Sequence, residues 1–340
     1  MKPRRKSILI IKPSSLGDIV HTLPAVSAIR SAHPDAEITW VINPEWAPLL
    51  RGNRDVDHVH IFPRGQFRGI GASASMVPWL LKTRRLRPEA AVDFQGLLRS
   101  ALIGRISGAR EFYGLSDARE GSRLFYNHVA RVNRRSHAVE RYMKLAQAFG
   151  AEIPLELRFP LPGGDPLPRF DPHPPFILLH PFARGRGKSL SARAVEQFCL
   201  ACSPARVVVV GKSALRFRAP ENCVNLSNHT TLLQLVWLIR AAGFVVSVDS
   251  GPVHIAAAVS SRLLSIHTWT DPRRVGPYDP EAWIWRSGEL RQMRDFAPDV
   301  KLPKGRLFRS NDVPAVVELI KKIGLASPAP APLAPGLLER

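Results

Sequence analysis

Apolar and polar positions along this chain switch repeatedly between two periods. Ser7-Ile8-Leu9-Ile10-Ile11, Ile38–Ile42, Val59–Phe62 and Ala90–Phe94 are short apolar runs that read as buried strands. Between and after them, apolar residues recur at helical spacing over about 23–32, 70–84, 97–107 and 138–149. The same alternation restarts at Phe176. Strands are predicted at 176–179, 206–210, 244–248 and 263–266, with helices near 191–202, 231–241, 252–259 and 313–323. Strand and helix alternating through short connections predict an α/β fold with doubly wound parallel sheets.

The two stretches are separated by Phe159–Pro175, whose many prolines can continue neither a helix nor a central strand. The expected organisation is a first domain at 1–160, a Pro-rich linker at 161–175 and a second domain at 176–325. Residues 326–340, rich in Ala, Pro and Leu, read as a disordered tail. Two similar halves joined by a linker imply a cleft.

Composition narrows the class. A chain of 340 residues supports two cores, and 45% hydrophobic with 22% charged residues is ordinary for a soluble globular protein. No run approaches the ~20 apolar residues of a membrane span. The basic start, Met1–Lys6, precedes an apolar run too short for a signal peptide. Cys199 and Cys202 form a CxxC, but inside a helical pattern and without a second ligand pair, so buried small side chains are expected. A reducing, cytoplasmic setting follows from three cysteines in all.

Charge is the unusual feature. The formal net charge is +20, and Arg64–Lys144 alone holds 16 Lys+Arg against 6 Asp+Glu. Free use of arginine, an anionic substrate, an anionic membrane surface and nucleic acid all fit such a balance. Charge alone does not choose among them.

Candidate chemistry lies in the loops that follow the strands, where open α/β folds bind ligands. After the first strand comes Lys12-Pro13-Ser14-Ser15-Leu16-Gly17-Asp18-Ile19-Val20-His21-Thr22-Leu23-Pro24. A helix started at Asp18 would carry Pro24 in its interior, so the expected start is Thr22–Pro24, with Thr22 as cap. Asp18 is then free to take a proton from an attacking hydroxyl. Asp93-Phe94-Gln95-Gly96-Leu97-Leu98-Arg99-Ser100 is a second strand-to-helix junction, where Gln95 and Arg99 either grip a polar substrate or cap and solvate a helix. Asp117-Ala118-Arg119-Glu120 and His137–Arg141 mix charges near the same face, each reading by itself as a surface salt-bridge segment.

In the second half, Asp249-Ser250-Gly251-Pro252-Val253-His254 joins a strand to a helix whose first amides suit a phosphate. The plainer reading is a capped helix start with a satisfied histidine. His180–Ser189 interleaves glycines with Arg184, Arg186 and Lys188, a cationic clamp without P-loop spacing. Gly17 is the only glycine of the opening loop, so a dinucleotide fingerprint is missing there too. NTPase and oxidoreductase readings lose their main support.

With these residues assembled, the chain resembles the ADP-heptose:lipopolysaccharide heptosyltransferases, in particular their heptosyltransferase I branch. The opening loop, Asp249–Ala258 and Asp93–Ser100 match three signatures of that family, and Leu124–Asn127 with His137–Arg141 fits the branch. The resemblance implies a GT-B fold of two Rossmann-like domains, acceptor on the first and nucleotide-sugar donor on the second, inverting without metal or cofactor. By position it makes Asp18 the general base, with Ser15, Gly17, His21, Gln95, Arg99 and Arg119 on the acceptor side. It puts Lys188 on the donor diphosphate with Arg184 and Arg186, Asp249 on the heptose hydroxyls, and Ser250, Gly251 and His254 in the pyrophosphate-side loop. The implied acceptor is a Kdo-containing lipid A core, anionic and membrane-embedded. It gives the basic segment a partner at the cytoplasmic face of the inner membrane, with no role for nucleic acid.

Departures are specific. Phe182-Ala183 stands where the family often has a Thr pair, Ser189-Leu190 replaces a Trp-Pro, and Gly211–Arg216 lacks an acidic residue for the ribose. A family transferase with another nucleotide sugar or acceptor is therefore the nearest alternative. A basic polyanion- or membrane-binding module is the non-enzyme alternative, and it leaves Asp18 and Asp249 without a purpose.

Overall fold

The computed structural model describes residues 5–67, 72–185, 187–260, 262–297 and 301–325, with side chains 66–67 and 72–75 left aside. The predicted tail at 326–340 lies outside the described residues. The chain divides into two compact units, Met1–Pro162 and Gly163–Arg340.

The first unit runs β1 (Ser7–Ile11), α1 (Leu16–Ala32), β2 (Glu37–Ile42), β3 (His58–Ile61), α2 (Ala72–Leu86), β4 (Ala90–Asp93), α3 (Leu98–Ile106), β5 (Glu111–Leu115), β6 (His128–Ala130) and α4 (Ala138–Ala148). Its strands form one parallel sheet in the order β3-β2-β1-β4-β5-β6. Ile8, Leu9, Ile10 and Ile11 are at most 1% exposed, so β1 is covered on both faces, which is why it reads as an unbroken apolar run. Each such side chain contributes about 1.5–3 kcal/mol by leaving water.

β5 and β6 escaped the sequence reading because Glu111 and Gly114 interrupt the first and the second is only three residues long. Gly114 in β5 lies flat against Tyr126, where a Cβ would come within 2.2 Å of the ring. The strand therefore owes its glycine to tertiary packing rather than to a turn.

The start of α1 corrects the sequence expectation. The helix begins at Leu16 with Ser15 as N-cap, Asp18 is its third residue, and Pro24 sits inside it. Thr22 is no cap: its hydroxyl donates back to the Asp18 carbonyl at 2.7 Å. A proline inside a helix costs about 3 kcal/mol. Val20, Leu23, Val26 and Ile29, each at most 1% exposed, offset that several times over at about 1.5–3 kcal/mol apiece. Burial overrode local propensity.

The second unit runs β7 (Ile177–His180), α5 (Ala192–Ala201), β8 (Val207–Val209), β9 (Cys223–Asn225), α6 (Leu232–Ala241), β10 (Phe244–Val248), α7 (Gly251–Val259), β11 (Leu263–Ile266), α8 (Pro272–Val275), β12 (Trp283–Arg286), β13 (Glu289–Gln292) and α9 (Val313–Ile323). Its sheet order is β13-β12-β11-β10-β7-β8-β9, parallel except for the antiparallel β12–β13 pair. Cys199 and Cys202 are buried in its core beside Phe198 and Val207. The Pro-rich segment after Pro162 packs on this unit: Asp165 donates its amide to Leu233, and Phe170 stands edge-on to Phe176 and Trp237.

Both units repeat one wiring. In each, the first strand of the unit pairs with its second on one side and its fourth on the other, so the chain reverses direction across the sheet between β1 and β4, and between β7 and β10. Within each unit, the loops leaving the carboxyl ends of the two adjoining strands stand at that reversal, the usual ligand position of such sheets. All four are loops that the sequence had singled out.

Candidate active site

In the first unit the loops after β1 and β4 are laced together. Lys12 is 2% exposed, and its ammonium donates to the Phe94 carbonyl at 2.9 Å and the Tyr142 hydroxyl at 2.8 Å. Tyr142 in turn directs its O–H toward Asp18 Oδ1 at 3.5 Å, the outer limit of a hydrogen bond. Asp18 Oδ2 accepts from the Ser15 amide at 3.1 Å and the Ser15 hydroxyl at 2.7 Å. Burial works against the Lys12 charge, but Tyr142, Asp18 and Asp93 outweigh it and hold the pKa above its ordinary value. A permanent cation thus stands behind the Asp18 carboxylate, separated from it by one phenol.

Asp93, fully buried, organises the second loop. It accepts from the amides of Gln95 and Gly96 and from the hydroxyls of Ser100 and Tyr126. Burial raises its pKa, and these donors pull it part of the way back. The Gln95 side chain accepts from the Ser14 amide at 3.2 Å, so Gln95 ties this loop to the opening one.

The other acceptor-side candidates are spread out. Ser15 shares the Asp18 cluster. Gly17 and His21 are buried in α1, with His21 edge-on to His137. Arg99 and Arg119 are exposed. Arg99 lines an apolar groove of about 600 Å³ with Trp79, Leu98 and Leu102. Asp117 is bonded to Arg141.

In the second unit the centre is Asp249, at the end of β10. Its Oδ2 accepts from Lys188 Nζ and from Thr270 Oγ1, each at 2.7 Å. Thr270 spends its proton on Asp249, so it accepts from His267 Nδ1 at 3.0 Å, and His267 Nε2 accepts from Ser265 Oγ at 2.9 Å. Donor accounting therefore fixes the histidine tautomer. Burial raises the Asp249 pKa, yet His267, Lys188 and Thr270 more than reverse this and leave it below the ordinary carboxylate range. Lys188 keeps two of its three N–H donors for a ligand.

Ser250 caps α7 without bonding the helix's own amides; its hydroxyl lies 3.1 Å from both His180 Nδ1 and the Val248 carbonyl. Pro252 has no N–H and Val253 donates its own to the Ser250 carbonyl at 3.1 Å, so the Gly251 amide is the donor that the first turn of α7 leaves beside Asp249 for an anion. His254, 8% exposed, lies in the first turn of this helix. Ser189 closes the cationic loop on itself through the Ala183 amide and carbonyl, which puts Lys188 against Asp249. Arg184 is exposed, and Arg186 lies outside the described residues.

Sequence reading missed Lys12, Tyr142, Asp93, His180, Thr270 and His267 as parts of these networks. Lys12 and Asp93 had stood inside the quoted motifs. Thr270 and His267 follow β11, and position after a strand end was the only signal that would have found them. Among the described residues no group of three or more His, Cys, Asp or Glu is placed to hold a metal ion.

A model of glycosyltransferase family 9 (heptosyltransferase) matches residues 81–304, well over half of the chain. The chain belongs to glycosyltransferase family 9. As a member it is a glycosyltransferase enzyme, similar to lipopolysaccharide heptosyltransferase 1 of Salmonella typhimurium at 27% identity over 297 residues, covering 80% of this chain and 91% of that one. The lipopolysaccharide core heptosyltransferase OpsX of Haemophilus influenzae is 26% identical over 351 residues, covering 94% and 97%. In structure, this family 9 chain matches the E. coli heptosyltransferase WaaC with ADP at a TM-score of 0.72 and 22% identity, covering 94% of this chain and 100% of that one. That likeness shows the fold, two parallel-sheet α/β domains of GT-B type.

The buried histidines of the family 9 chain set its acid sensitivity. Burial pushes His60, His180 and His267 each down to about 4 from an ordinary 6.5. Between those values the unfolded chain binds more protons, so stability falls as pH falls. Urea titrations are expected to show almost no proton uptake on unfolding at pH 7.5 and uptake approaching three protons near pH 5, where the slope reaches roughly 4 kcal/mol per pH unit. A His267→Gln variant is expected to take up one proton fewer.

Proposed function

We propose that this enzyme is an inverting, metal-independent heptosyltransferase that moves heptose from ADP-heptose to a Kdo-type sugar of the lipopolysaccharide inner core. The first unit takes the acceptor and the second the donor. The observation that carries the reading is that Asp18 and the Lys188–Asp249 pair each occupy the switch-point loops of their own sheet. In a single displacement the acceptor hydroxyl attacks the anomeric carbon and gives its proton to Asp18, while the bond from that carbon to the diphosphate oxygen breaks. Lys188, Arg184 and the Gly251 amide at the start of α7 take up the charge that grows on the leaving ADP. Asp249 Oδ1 carries no partner among the described residues and is placed to accept a hydroxyl of the sugar.

The donor identity is supported by the names of the relatives, including WaaC with ADP-2-deoxy-2-fluoro heptose. An anionic glycolipid acceptor suits the basic first unit and the groove beside Arg99. No helix among the described residues is long and apolar enough to cross a membrane, so the proposed attachment to the inner membrane is peripheral.

The test is a thermal-shift screen followed by product analysis. ADP-heptose is expected to raise Tm more than ADP-hexoses or UDP-hexoses, and NMR of the product to show the anomeric configuration inverted. Equal shifts for all donors would remove the nucleotide and sugar assignment; retained configuration would remove the single displacement.

A further inference from the structure

The amino ends of the first unit's strands carry a pocket that the transfer reaction leaves unused. About 300 Å³ in volume, it is lined by Arg5 and Ser7 at the start of β1, Arg84 and Arg87 at the end of α2, and Arg110 before β5. Glu89 is its one acidic residue, so the lining carries a formal charge of +3. A carboxylate neutralises Arg30 (Asp57), Arg141 (Asp117), Arg273 (Asp271) and Arg306 (Asp312). Here, among the described residues, none of the four guanidinium groups has a hydrogen-bond or ion-pair partner.

Gly108 and Ser7 line the same cavity. Gly108 has φ +76°, and a Cβ there would stand 3.5 Å from Arg84 Nη1, so the Arg84 guanidinium lies over a glycine. The Ser7 hydroxyl accepts from the Glu89 amide at 3.1 Å, which leaves its own proton to donate. Cations gathered around one cavity repel one another over distances shorter than the Debye length of about 8–10 Å. A phosphoryl group answers both features, because it brings two or more negative charges and oxygens that match the guanidinium fork.

We infer that this pocket binds a soluble anion carrying a phosphoryl group. The position favours a soluble source over a lipid headgroup. Parallel strands put Arg5, Ser7 and Arg110 at one edge of the sheet, and Asp18 and Asp93 at the other, about five residues or roughly 16 Å away. A flat bilayer touching the arginine edge would leave the loops proposed to take a membrane-embedded acceptor facing away from it. That one step rests on the proposed acceptor; the anion site itself does not.

Equilibrium dialysis of the full chain with inorganic pyrophosphate, at constant ionic strength, tests the inference. Two sites are expected, this pocket and the Lys188 loop. The Arg84→Gln/Arg110→Gln variant, altered only at exposed positions, is expected to lose one of them, with affinity at least tenfold weaker. A Lys188→Met variant is expected to retain that site and lose the other, so failure of the donor assignment is read separately. Unchanged stoichiometry and affinity in Arg84→Gln/Arg110→Gln overturns the inference, as does binding that sodium chloride abolishes at equal ionic strength. Loss of binding to vesicles containing phosphatidylglycerol, with pyrophosphate binding unchanged, overturns the soluble source in favour of a lipid headgroup.

Discussion

Replacing Asp18 with Asn is expected to lower kcat roughly 10²–10⁴-fold, the usual contribution of a positioned general base, while ADP binding stays unchanged. The substitution is close to isosteric. An amide oxygen still accepts from the Ser15 amide and hydroxyl, so the first turn of α1 stays closed. What is lost is the capacity to hold a proton. The stability cost comes from removing a negative charge at a helix start, about 0.3–1 kcal/mol. Steady-state kinetics with calorimetric titration of ADP separates these effects. Turnover within tenfold of the unaltered enzyme would leave Asp18 with only its role in the helix start.

Lys188→Met is the second large effect, and it acts on binding, chemistry and stability together. A charge-assisted hydrogen bond is worth about 1.5–3 kcal/mol, so ADP affinity is expected to fall roughly 10–100-fold. kcat falls further, because the lysine meets more charge on the leaving diphosphate than on the intact donor. Stability changes through Asp249, whose carboxylate is 10% exposed and loses its cation. Its folded pKa now lies below the unfolded value, so it contributes stability above the unfolded pKa that is lost as pH falls through the folded one. Without Lys188 that loss begins at higher pH. Adding Asp249→Asn is expected to restore the melting temperature at pH 5 but not the turnover. Recovery of turnover in the double variant would deny both residues a part in the reaction.

Pro24 shows where local reasoning failed. Taken by itself it forbids a helix running through residues 16–32, and the cap was accordingly expected at Thr22. The folded chain accepts the proline because the helix around it is buried on nearly every side, a quantity no local rule contains. Asp18 changed meaning as a result. It is held at the third helical position by Ser15 and approached by Tyr142, rather than projecting from an open loop.

By itself the sequence determined the period of the apolar runs, hence the alternation of strands and helices, and the four loops that follow β1, β4, β7 and β10. Those depend on residues close together in the chain. Tertiary structure alone decided which loops become neighbours. The strand order makes β1 adjoin β4 and β7 adjoin β10, and so brings Lys12 against the Phe94 carbonyl, 82 residues away, and Lys188 against Asp249, 61 residues away. Hydrogen bonds over such separations leave no periodic trace in the sequence. They form only once burial has closed each sheet.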